Sequence, residues 1–100
     1  MPEEGFGCAV AHKASPDQLA IMAALQRPLG LQCIQEKAPA PAWKKIPSWY
    51  LIAEEDRMIS PETQRFMAGR MRATVRSHSV DHTPMYTAPD LVVDVILEAA

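Results

Sequence analysis

Ser48-Trp49-Tyr50-Leu51-Ile52-Ala53 is a short, mostly apolar run with no polar alternation, and Glu54-Glu55-Asp56-Arg57 follows it at once. A strand with one wet face alternates apolar with polar residues, so an unbroken run of this length is expected of a strand covered on both faces, as in a parallel sheet. Downstream, Ser60-Pro61-Glu62 supplies a cap serine, a proline at the first helical position and an acid in the first turn. A helix is therefore predicted from Pro61 to near Met71-Arg72. Ala73 to Ser79, which holds Thr74 and Val75, reads as a second strand. Pro89-Asp90 opens a last helix with Leu91, Val92, Val95, Ile96 and Ala99 on one face and Asp90, Asp94 and Glu98 on the other. Strand, helix, strand, helix is the alternation of an α/β layer fold. Two strands are fewer than a freestanding sheet needs.

Working outward, Lys37 to Pro47 contains Pro39, Pro41 and Pro47 among alanines and lysines and reads as a connecting loop. Before it, Ser15-Pro16-Asp17-Gln18 carries a cap serine, a first-position proline and a glutamine three residues after the cap, which together form a capping box. That helix should falter at Arg27, because Pro28 disfavours helical geometry in its predecessor. A second helical piece is expected around Leu29 to Gln35. Met1 to Ala14 holds two of the chain's four glycines and no sustained period, and is read as an irregular lead-in. The expected organisation is thus a lead-in over 1–14 and a partial domain over 15–100, with helices in 15–36 and strand-helix-strand-helix in 46–100.

The 100 residues are 48% hydrophobic and 22% charged, which is globular rather than disordered composition. The longest apolar run, Leu19 to Leu25, falls far short of the ~18 residues needed to cross a bilayer. The acidic start Met1-Pro2-Glu3-Glu4 is unlike a secretory signal, and no export is expected. A net charge of -2 with scattered basic residues argues against nucleic acid as a partner. Cys8 and Cys33 are isolated thiols, expected of a reducing, cytoplasmic setting.

If the two strands are parallel, Asp56 leaves the carboxyl end of the first and His78-Ser79-Val80-Asp81-His82-Thr83-Pro84-Met85 leaves the same end of the second. Open α/β sheets locate their sites there. An aspartate and a histidine then converge on one rim, and a histidine oriented by a carboxylate can act as a general base. An acid triplet in a loop is ordinarily a solvated surface, and a loop histidine ordinarily has no partner. His78 and His82 are four apart, which would suit metal ligation on a helix, but this segment reads as strand and loop and no third ligand is evident. No metal and no cofactor are expected. His12 is read as solvated, and Met58, Met67, Met71 and Met85 as gap-fillers of the core. No serine here lies in G-x-S-x-G, and neither cysteine has the full flanking pattern.

Four stretches together resemble the C-terminal part of the α/β-hydrolase fold, in the small esterase branch related to plant methylesterases and hydroxynitrile lyases. They are Trp43-Lys44-Lys45-Ile46-Pro47-Ser48-Trp49-Tyr50, Glu55-Asp56-Arg57, Pro61-Glu62-Thr63-Gln64-Arg65-Phe66-Met67 and Asp81-His82-Thr83-Pro84-Met85. The resemblance implies that Asp56 is a triad acid, that His82 is a triad base, and that Ser15 to Gln35 is the end of a helical cap over the substrate pocket. It gives His78 no role. The family's nucleophile and oxyanion donors lie earlier in the fold than anything in these residues. Two functions follow as expectations. One is a portion of an ester hydrolase that carries the acid and histidine and is inactive alone; the other is a non-catalytic module that associates with itself or with a partner.

Overall fold

A computed structural model describes the whole chain, Met1 to Ala100. Its elements in order are α1 (Glu3–Ala9), α2 (Pro16–Ala24), α3 (Leu31–Gln35), a single 3-10 turn at Ala42–Lys44, β1 (Trp49–Ala53), α4 (Pro61–Met71), β2 (Thr74–His78), α5 (Pro84–Thr87) and α6 (Pro89–Ala99). The two strands pair in parallel, with Trp49 opposite Thr74 and Ala53 opposite His78. Parallel neighbours need a crossover, and α4 supplies it. Both α4 and α6 pack on β1. No helix is long and apolar enough to cross a membrane.

Local chemistry explains the boundaries. The Ser15 hydroxyl accepts from the Gln18 amide at 3.2 Å while the Gln18 side chain accepts from the Ser15 amide at 3.0 Å, the reciprocal pair of a capping box. Ser60 caps α4 by accepting from the Thr63 amide. That helix ends where Arg72 turns left-handed, at φ 52°, allowing the Ala73 amide to donate to the Ala68 carbonyl. Arg72 is the chain's one non-glycine residue with positive φ.

The lead-in is not irregular. Residues 3–9 form α1, with Glu3 and Glu4 in its first turn, where the helix dipole favours acids. Its glycines obscured it, yet Gly7 has a packing reason. A Cβ there would sit 2.8 Å from Leu19 Cδ2, so the bare backbone lets α1 lie close against α2. Past α1 the chain turns inward and Ala11 is buried.

The expectation for β1 holds only at its carboxyl end. Ile52 and Ala53 are buried, whereas Trp49 to Leu51 are half-buried, and β2 is exposed over four of its five residues. A two-stranded sheet cannot cover itself. The buried apolar residues are few: Ala11, Met22, Ile52, Ala53, Ala68 and Val80. Three polar residues, Gln64, Asp81 and Thr83, are buried beside them. The core thus gathers at the carboxyl ends of the strands, beneath the loops that carry Asp56 and His82. The amphipathic α6 has Leu91, Val92 and Val95 half-buried, but Ile96 stands exposed.

Candidate active site

Asp56 and His82 meet. Asp56 Oδ2 lies 2.8 Å from His82 Nδ1, joining the loop after β1 to the loop after β2. The Asp56 side chain is 5% exposed and that of His82 34%. Burial alone would raise the Asp56 carboxyl. The amides of Ile59 and Met58, donating to Oδ1 at 3.0 and 2.7 Å, together with His82, outweigh it and hold the group below its ordinary value. Asp56 is therefore a carboxylate at neutral pH and can only accept, so the bond to His82 fixes the ring proton on Nδ1. In that neutral tautomer Nε2 bears the lone pair, and it has no hydrogen-bond partner in the chain. An imidazole held in this tautomer by a carboxylate is built to take a proton at Nε2 and to be stabilised once it carries the charge.

Gln64 is the residue that sequence reasoning missed at Asp56. It is 4% exposed, and its amide nitrogen donates to Asp56 Oδ2 at 3.0 Å and to the Ile59 carbonyl at 2.8 Å. Its oxygen accepts from the Ala53 amide at 2.9 Å. One side chain thus ties the end of β1, the turn and the carboxylate together. A signal for it exists. Gln64, Met67, Ala68 and Met71 recur at helical spacing on the inward face of α4, and a glutamine in such a stripe needs partners.

Asp81 does the same for the histidine loop. It is 0% exposed. Its Oδ1 accepts from the Thr83 amide at 2.9 Å and from the hydroxyls of Thr83 and Thr87 at 3.1 and 2.8 Å. Its Oδ2 accepts from the Lys13 amide at 3.0 Å. Burial pushes its carboxyl up, but these bonds prevail and hold it low. The residue before His82 is thereby anchored to α5 and to the segment after α1.

That segment overturns the reading of His12 as solvated. The His12 side chain is 12% exposed, its Nε2 is 3.9 Å from Glu55, and its buried Nδ1 has no partner. Lys13 Nζ bonds the Ser79 carbonyl at 2.6 Å and Glu55 at 2.7 Å. Arg57 reaches the Cys8 carbonyl at 3.0 Å. With residues 3–9 helical and residues 8–13 laid against both site loops, His12 is covered. All three acids of the loop after β1 have partners: Glu54 binds Arg65 and Ser77, Glu55 binds Lys13, and Asp56 binds His82. The hydrogen bonds from Ser77 and Arg65 lower the Glu54 carboxyl, and that from Lys13 lowers Glu55.

His78 ends β2, where its carbonyl accepts from the Glu54 and Val80 amides. No group of three or more histidine, cysteine, aspartate or glutamate side chains is arranged to hold a metal ion. Cys8 and Cys33 are free and exposed.

A parallel β1–α4–β2 unit thus carries an aspartate after its first strand that is hydrogen-bonded to a histidine after its second. Residues 3–95 match the model of the alpha/beta hydrolase family, and the chain belongs to that family. No curated protein matches the chain.

Proposed function

We propose that the chain is the acid and histidine portion of an ester hydrolase, the C-terminal part of its fold, in the small methylesterase-like branch. The bond between Asp56 Oδ2 and His82 Nδ1 carries this reading. With the proton held on Nδ1, Nε2 takes the proton of a serine hydroxyl brought within about 3 Å as that oxygen attacks an ester carbonyl. Asp56 stabilises the imidazolium, which then protonates the leaving alcohol. None of the serines of these residues sits in a G-x-S-x-G turn, so the hydroxyl comes from outside them and the chain alone is inactive. The two unpaired exposed cysteines agree with a reducing, cytoplasmic setting.

Two measurements test this. Nitrogen-15 NMR of the chain at neutral pH should show His82 with its proton on Nδ1, and Asp56→Asn should abolish that preference. The chain should not turn over activated esters with serine-type kinetics. A neutral ring protonated on Nε2, or turnover abolished by an active-site phosphonate, overturns the proposal.

One observation favours self-association as a second reading. Sixteen large hydrophobic residues are exposed, among them Leu25, Leu29, Leu31, Ile34, Phe66 and Leu97, against six buried apolar ones. The radius of gyration, 15.1 Å, also exceeds the ~13 Å of a compact 100-residue domain. Surface of this kind and unpaired strand edges recruit partners. Sedimentation equilibrium should show mass rising with concentration; a monomer throughout the micromolar range contradicts it.

A further inference from the structure

A cavity away from Asp56 and His82 lies at the opposite end of the sheet. Trp43 precedes β1, Met71 ends α4 and Arg72 follows it on the way to β2, and beside them opens this cavity of about 350 Å³. Its walls are Pro39 and Pro41 of the proline loop, the indole of Trp43, and Met67 and Met71 of α4. Arg70 closes one side with its guanidinium carbon 5.5 Å from the indole centroid, and Lys44 sits 5.9 Å from the same ring. Lys44, Arg70 and Arg72 also share a contiguous depression beside Trp43. None of these three cations is paired with an acid.

We infer that this cavity is a second binding site, for a small aromatic carboxylate. Its volume is within the range of small-ligand pockets, and a bicyclic aromatic acid fits inside it. The walls are the surfaces that aromatic rings prefer: a flat indole, two proline rings and two polarisable thioethers. The charge sets the rest of the ligand. Arg70 spends one face on Trp43 but keeps its edge donors free, and a guanidinium fork matches a carboxylate through two parallel bonds. Stacking on the indole preorganises that fork, while Lys44 and Arg72 add long-range attraction for an anion. None of Asp56, His82 and Gln64 lines the cavity, so occupancy is expected to leave the Asp56–His82 pair untouched.

The test is an NMR titration of the full chain with naphthoate and, separately, with naphthalenemethanol, which has the same ring system and no charge. Naphthoate should shift the Trp43 indole and the Met67 and Met71 methyls saturably, with Kd between about 10 µM and 1 mM, leaving the His82 ring unmoved. The alcohol should bind at least ~10-fold more weakly, and Arg70→Gln should weaken naphthoate by at least ~10-fold, with Arg70→Lys between. The acid–alcohol comparison uses the unaltered chain and so does not depend on any variant folding. Equal affinity for acid and alcohol overturns the inference, as do an unchanged Kd in Arg70→Gln or shifts spread over Leu25, Leu29 and Ile34. So do shifts of Trp43 that follow protein dilution rather than ligand, which would seat a second copy in the groove.

Discussion

Asp81→Asn removes a charge from the most enclosed carboxylate in the chain while keeping its size. The asparagine oxygen can stay where Oδ1 is and keep the Thr83 amide and the Thr83 and Thr87 hydroxyls as donors. Its nitrogen must then replace Oδ2, three ångströms from the Lys13 amide, so two donors face each other. Losing a bond to a charged acceptor costs about 1.5–3 kcal/mol. The three surviving bonds drop from charge-assisted to neutral strength, roughly half. Relief from burying the charge offsets part of this. A net loss of about 2–3 kcal/mol is expected, a fall in Tm of ~10–20 °C for a domain of this size. Thermal unfolding followed by circular dichroism measures it. The pH dependence has a definite sign. Because Asp81 is held below its ordinary value in the fold, its stabilisation is complete above the unfolded value of about 3.9 and disappears as pH falls through the folded one. The gap between parent and variant should therefore close on acidification. A Tm within about 2 °C of the parent at pH 7, or a gap unchanged in acid, would refute the assignment of Asp81 as anchor of the His82 loop.

Three further outcomes are expected. Gln64→Leu should lower stability by about 2–3 kcal/mol in urea unfolding, since the Ala53 amide loses its buried acceptor, and should speed exchange of the His82 ring proton. Arg72→Gly should raise stability by about 0.5–1 kcal/mol, because glycine adopts φ 52° without the penalty a side chain carries. The parent chain should lose stability progressively below about pH 4, where the unfolded chain takes up protons that folded Asp56 and Asp81 resist. A flat unfolding midpoint from pH 5 to pH 2.5 would contradict the depressed carboxyls.

Much of the framework could be read locally. The capping box at Ser15, the serine-proline start at Ser60, the apolar run before Ala53 and the amphipathic period after Pro89 each report on a handful of neighbouring residues, and each element lies within a residue or two of its expected bounds. The convergence of Asp56 and His82 was also legible, because parallel strands send their following loops to one rim. Residues 3–9 were not, since two glycines in seven residues read locally as irregular, and the close approach of Gly7 to Leu19 exists only in the fold.

The sequence by itself determined the alternation of strand and helix, the caps that begin α2 and α4, and that the loops after the two strands would share one rim, because these follow from short-range chemistry and one topological rule. The choice of Asp56 and His82 within those loops came from the resemblance to the hydrolase family. Only the tertiary structure decided what holds that pair in place. Gln64 reaches across ten intervening residues to Ala53, and the backbone of Lys13 reaches Asp81 from the far end of the chain. Buried polar groups must find partners, and folding brings those partners from positions that no local pattern connects.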